Sequence, residues 1–179
     1  MATLVLGPRP PELEALLERR RRIGADRFDE VWEGVYHVVP APSDAHALIE
    51  SQLHVLLAPL ARAAGLLMSG PFNLGEGEHD FRVPDAGLHG SGGWGVWQPT
   101  AALVIEIISP GDETWQKLPF YAQHRVEEVV IADPAKRSVT WLALGDGDYQ
   151  PVAQSALIDS GPTALGEQID WPEGTPSTS

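Results

Sequence analysis

Three residues in this sequence have the types and the order needed for hydrolysis at a charged centre: Asp85, Glu106 and Lys117. Glu106 lies within LVIEIIS, residues 103–109, flanked by aliphatic side chains, so a buried strand is expected around it. A buried carboxylate without a partner costs roughly several kcal/mol or takes up a proton. Asp85 falls on the apolar side of the stretch HDFRVPDAGL, whose period of two places Phe81, Val83 and Asp85 on one face. If the two strands pair, opposed side chains stand about 5 Å apart, and two ionised carboxylates at that distance repel. A divalent cation removes the conflict, because Mg²⁺ is typically held by one or two carboxylates together with waters and phosphate oxygens. Such an ion activates water and stabilises charge on phosphorus. Lys117 is one of only two lysines, against ten arginines. At the start of the next helix its compact ammonium could meet the attacking water or a scissile phosphate. Two acids followed by a lysine make the parts of a phosphodiesterase dependent on Mg²⁺ or Mn²⁺.

Each residue also has a plainer reading. Asp85 follows a proline, and Pro-Asp is a common turn dipeptide. Glu106 could form a structural ion pair with Arg82 or Lys117, and Lys117 alone could be a solvated helix residue. His46 could pack at the first turn of its helix, and Glu30 could serve only to stabilise a hairpin. His79 and His89 flank the Asp85 strand with no spacing that marks a metal site. Trp94 and Trp97, in the glycine-rich segment 87–99, could stack on bases or close over the sheet.

The elements that must position these groups are legible in outline. Pro10 and Pro11 lead into ELEALLERRRR, a helix with proline near its first turn. FDEVWEGVYHVVP predicts a hairpin that turns at Glu33-Gly34. Ser43 is suited to cap a helix carrying Ile49, Leu53, Leu56 and Leu60, which Pro59 should kink or end in its last turn. After Glu106 a helix spans roughly 112–124, with Pro119 placing its regular part from near Leu118. EEVVIADP and RSVTWLAL read as two further strands. The expected organisation is an N-terminal helical arm over 1–27, one catalytic domain over 28–165 and a disordered tail over 166–179.

Composition narrows the class. The chain has 179 residues, 43% hydrophobic and 21% charged, which suits one globular domain with a substantial core. It has no cysteine, which excludes disulfides and thiolate metal sites. No apolar run is long enough to span a bilayer and the N-terminus lacks a signal-peptide layout, so a cytoplasmic location is the default expectation. The net charge of −13 argues against gripping duplex DNA with the whole surface. Six of the twelve basic residues fall in the first 27 positions, with Arg19 to Arg22 in a row, a pattern that more often marks a solvated helix face.

With Asp85 in RVPDAGL, Glu106 in LVIEIISPGD and then QKLPFYAQHRVEEVVIADP, the chain resembles the Uma family of candidate restriction endonucleases. That family belongs to the restriction-endonuclease-like PD-(D/E)XK superfamily. The likeness runs from about residue 28 to 145 and includes DEVWEG, SDAHALI and SVTWLAL. It implies an α/β (α+β) fold with a mixed central sheet of five or six strands flanked by helices, preceded by the N-terminal helix and hairpin. It implies that Asp85, Glu106 and the Ile107 backbone carbonyl hold Mg²⁺ or Mn²⁺, that Lys117 assists catalysis, and that Glu30 and His46 line the same cleft. Where the superfamily places its lysine two positions after the glutamate, this chain has Ile108; Lys117 matches the family's lysine on the next helix. Arg125 departs from the family by replacing the glycine usual before Val126, and Pro119 interrupts the lysine-bearing helix. DNA is the expected substrate, and a homodimer is consistent with it, since one site cuts one strand and a duplex has two. Two alternatives stand beside this reading: an inactive nuclease fold kept as an interaction module, and a phosphodiesterase acting on a small nucleotide.

Overall fold

The computed structural model describes residues 3–5, 11–92, 95–111 and 113–173. Strand β1 (Thr3–Val5) precedes helix α1 (Pro11–Ile23), which proline opens as expected. Leu17 is buried in α1 against Val31 and Tyr36, and the Arg20 guanidinium grips Asp29 through two bonds of 3.0 and 2.7 Å. The arm is therefore docked on the hairpin that follows it, β2 (Glu30–Trp32) and β3 (Val35–Val38). Glu33 (φ 49°) and Gly34 (φ 85°) both take the left-handed conformation that a two-residue turn between twisted strands requires.

Helix α2 (Asp44–Ala63) is capped by the Ser43 hydroxyl, which accepts the His46 N–H. Its buried stripe is Ile49, Leu53, Leu57 and Ala61, and the helix continues through Pro59 for another turn. Then come β4 (Leu67–Ser69), β5 (Asn73–Gly77), β6 (Asp80–Arg82), β7 (Ala86–His89), β8 (Trp97–Gln98) and β9 (Leu103–Ile107). A 3₁₀ turn over Thr114–Lys117 leads directly into α3 (Leu118–Gln123), with Pro119 in the first turn, where it is tolerated. The chain closes with β10 (Glu128–Asp133), β11 (Ser138–Leu144), β12 (Tyr149–Pro151) and α4 (Pro162–Gly166).

The strands divide into two six-stranded sheets rather than one sheet of five or six. Their orders are β1-β3-β2-β6-β5-β8 and β12-β11-β10-β9-β7-β4. The division falls inside HDFRVPDAGL, expected as one strand: β6 ends at Arg82 in the first sheet and β7 begins at Ala86 in the second. Pro84, between them, has no N–H to give a ladder. In the second sheet β9 runs parallel to β10 and antiparallel to β7. One face of that sheet packs on α2 through Leu88, Leu103, Ile105, Ile107 and Trp141; the other meets Phe120, Tyr121 and Val126 through Val104, Val129 and Ile131. Covered on both faces, β9 and β10 are apolar almost throughout.

Helix α3 ends in a two-bond cap, with Val126 N–H on the Tyr121 carbonyl and Arg125 N–H on the Ala122 carbonyl, both at 3.0 Å. Arg125 takes φ 55° there, in the region where glycine is at ease. The C-terminal stretch expected as a disordered tail over 166–179 needs a different boundary. Ile169 is 5% exposed within the main core and Trp171 packs against it, because α4 turns the chain back over β11. Residues 174–179 of that tail lie outside the described residues. No described helix is long and apolar enough to cross a membrane.

Candidate active site

Glu106 points to the α3 side of the second sheet, the face it shares with Val104, and is 3% exposed. Its carboxylate accepts three hydrogen bonds from two groups. Lys117 Nζ lies 3.2 Å from both oxygens, and the Tyr121 hydroxyl donates to Oε1. Lys117 and Tyr121 are four residues apart across the continuous 3₁₀ and α segment, so both project from one face onto the strand.

Lys117 is not shared with Glu106 alone. Its ammonium also lies 2.9 Å from Glu30 Oε1, on β2 of the other sheet. Glu30 is 2% exposed, and both its oxygens are occupied: Oε1 also accepts the Val83 N–H and Oε2 the Trp32 indole N–H, each at 2.7 Å. Trp32 is itself fixed by stacking on His37, ring centroids 4.3 Å apart, and by the Arg82 guanidinium 4.4 Å from its ring.

Asp85 stands just before β7. Carrying the β7–β9 register one step past Ala86↔Ile105 sets it opposite Glu106. Its Oδ2 accepts the Ile107 N–H at 2.7 Å, and its Oδ1 is 3.0 Å from His46 Nε2. The other ring nitrogen of His46 is 3.2 Å from the Ser109 hydroxyl. One further step of the register sets Ile107 opposite Pro84, which has no N–H for the Ile107 carbonyl. The same Pro-Asp pair thus gives one strand-edge group a side-chain partner and denies the other a ladder bond.

Glu30, His46, Asp85, Glu106, Ile107 and Lys117 all line one cavity of about 270 Å³, whose lining also includes Phe28 and Pro40. Five carboxylates line it, Glu30, Glu50, Asp85, Glu106 and Glu113, against the single ammonium of Lys117 among the described residues. Burial pushes the Glu106 carboxyl up to about 8; Lys117 opposes this while Asp85 and Glu30 add to it. Burial alone would draw Lys117 down, but Glu106, Glu30 and Asp85 outweigh it and keep the ammonium charged. At His46 burial also pulls downward and is outweighed by the Asp85 bond, so the imidazole is held above its ordinary value. The Tyr121 hydroxyl is raised well above the usual phenol range by burial and by Glu106.

Among the described residues no three His, Asp or Glu side chains form a ready-made metal cluster. A narrower set could hold an ion: the Asp85 and Glu106 carboxylates with the strand-edge Ile107 carbonyl. Mg²⁺ suits such a set, since it commonly keeps several waters.

The other candidates fall elsewhere. His79 is exposed, and His89 is buried against Ser69, its Nε2 2.9 Å from the hydroxyl. Trp97 packs edge-on to Phe81 at 4.9 Å, while Trp94 lies outside the described residues. Arg82 is not the partner of Glu106; its guanidinium bonds the Val31 carbonyl and Asp80 between the Trp32 and Phe120 rings. Sequence reasoning missed Tyr121, although its spacing of four from Lys117 signals a shared face. It also missed Trp32 and the His37–Glu113 contact of 3.1 Å at the cavity wall, for which the sequence carries no local signal.

A family model described as "Uma2: Putative restriction endonuclease" matches residues 12–170. Among solved structures, the chain is similar to one titled as a putative nuclease belonging to DUF820 from Anabaena variabilis ATCC 29413. The TM-score is 0.63 at 15% identity, over 79% of this chain and 90% of that one. A chain of the cryoEM structure of a DrdV–DNA complex overlaps with a TM-score of 0.38 and 16% identity, over 65% of this chain and 10% of that one, too weak an overlap to carry an argument. No curated protein matches. At 15% identity the first likeness speaks to architecture, and the architecture is the restriction-endonuclease-like fold.

Proposed function

The chain belongs to the Uma2 family, and on that footing we propose that it is a nuclease that hydrolyses phosphodiester bonds in DNA with the aid of Mg²⁺ or Mn²⁺. The observation that carries the reading is the charge balance of the cavity: Glu30, Asp85 and Glu106 converge on a space in which Lys117 is the one ammonium among the described residues. Burial and the neighbouring carboxylates hold Glu106 up to about 8 even with Lys117 beside it, and a divalent ion would let it stay ionised at neutral pH.

Asp85, Glu106 and the Ile107 carbonyl would hold the ion. When bound, it supplies Lewis acidity and a bound water that ionises more readily. The protein's own groups do the rest. Glu30 and Glu106 together fix the Lys117 ammonium, which orients the attacking water and meets negative charge developing on the phosphate. His46 and the Ile107 N–H fix the rotamer of Asp85. The apolar wall of Phe28, Val83 and Pro110 keeps bulk water from weakening these interactions.

A second reading has its own observation. The Lys117–Glu106 pair is closed and needs no ion, as expected of a nuclease fold retained as an interaction module. Calorimetric titration with Mg²⁺ and Mn²⁺, joined to a plasmid-nicking assay, separates the two. The parent should bind and nick, and Glu106→Gln should do neither. Equal heats from parent and Glu106→Gln would end the metal-dependent reading. Activity confined to cyclic nucleotides would move the substrate from DNA to a small nucleotide.

A further inference from the structure

We propose that the basic end of α1, Arg21 and Arg22 with Arg27 just beyond it, is the surface that grips the nucleic-acid backbone beside the acid cavity. This inference rests on the nuclease reading and names where its substrate docks.

Charge is distributed very unevenly along the chain. The first 27 residues carry six arginines against four carboxylates, whereas the remaining 152 carry six basic residues against 21 carboxylates. A polyanion approaching this protein meets repulsion over most of the surface. Phosphate contacts supply most of the non-specific affinity for nucleic acid, so the cationic end of α1 is where approach is favoured.

The fold puts that end next to the cavity. Arg20 is the inward member of the run: its guanidinium bonds Asp29 and the carbonyls of Ala25 and Val39 at 2.6 and 3.2 Å. Val39 lines the acid cavity. Arg20 thus anchors the helix end to the cavity wall, while Arg21 and Arg22 stay exposed on the same turn. Arg27 is also exposed, and its guanidinium lies 4.8 Å over the ring of Phe28, which lines the same cavity. The Arg21 guanidinium lies 3.8 Å from Glu18 with both side chains exposed, a kind of pair that competes weakly with phosphate. Cations at a helix C-terminus also complement its dipole. That role predicts a loss of stability when they are removed, without a change in DNA binding.

The test is fluorescence anisotropy with a labelled duplex of about 20 base pairs in EDTA, titrated between about 50 and 200 mM salt. The parent should bind with an affinity that falls steeply with salt. The triple variant R21A/R22A/R27A should bind about ten-fold or more weakly, with a shallower salt slope, by roughly 0.9 for each phosphate no longer neutralised. A control, K136A/R137A, on the turn between β10 and β11, should match the parent. Equal affinity and slope in the triple variant, an equal loss in the control, or no binding by the parent would overturn the proposal. EDTA keeps the outcome separate from catalysis. If plasmid nicking fails while arginine-dependent binding holds, the catalytic reading falls alone. If R21A/R22A/R27A binds and nicks as the parent does, the docking surface falls alone.

Discussion

The Lys117 ammonium lies closer to Glu30, at 2.9 Å, than to Glu106, at 3.2 Å, although Glu30 belongs to the other sheet. All three side chains are at most 13% exposed, so each charge depends on the others for solvation. Removing one member of such a buried set leaves the rest uncompensated, which costs about 3–5 kcal/mol. Lys117→Met should therefore destabilise the protein by about that much in urea unfolding.

Stability without metal should fall as pH rises from about 5 to about 8. The sign follows from Glu106: with its pKa moved from 4.5 to about 8, the folded chain holds a proton there that the unfolded chain has lost. His46 acts in the same direction, since its pKa is raised in the folded state. Its contribution is complete below the ordinary imidazole value and is lost as pH climbs through the folded one. Urea midpoints across this range should show a clear slope in the parent and a flatter one in Glu106→Gln. Mn²⁺ affinity in the parent should rise over the same window, because the ion requires the deprotonated carboxylate.

Glu128 offers the complementary measurement. It is 2% exposed, far from any role in the cavity, and accepts bonds from the Trp141 indole, the Ser155 hydroxyl and the Ala156 N–H at 2.6 to 2.7 Å. Glu128→Ala should cost roughly 3 kcal/mol or more by stranding buried donors. Calorimetry at a temperature where the variant is folded should return the parent's Mn²⁺ affinity.

Arg125→Gly should stabilise the protein by about 0.5–1 kcal/mol, since it relieves an L residue held at φ 55° in the α3 cap. A higher denaturation midpoint with unchanged Mn²⁺ binding is the expected result. A lower midpoint would mean that the arginine side chain contributes more than the backbone conformation costs.

The sequence exposed some of this structure and hid the rest for physical reasons. Ser43, Glu33-Gly34 and the run LVIEI announce local structure through capping, turn geometry and continuous burial, and α2, the hairpin and β9 form where those signals predict. Asp85, Glu106 and Lys117 reach one cavity because two adjacent strands and the helical turn after them bring them there. The second sheet was not legible. Period two continues through HDFRVPDAGL, and nothing in side-chain polarity shows that the backbone changes sheets at Pro84. Ile169 was missed for a related reason: a tail rich in Gly, Pro and Ser looks unstructured until α4 folds it back over β11. The Glu30–Lys117 contact joins the two sheets, and long-range geometry of that kind leaves no periodic trace.

The crossing at Pro84 divides the acidic groups between two separately laddered halves of the molecule. On the nuclease reading, the seam leaves Asp85, Glu106 and Lys117 with one sheet and gives Glu30 to the other. Loosening the seam between the sheets would release the Lys117 ammonium from Glu30 while leaving it beside Glu106.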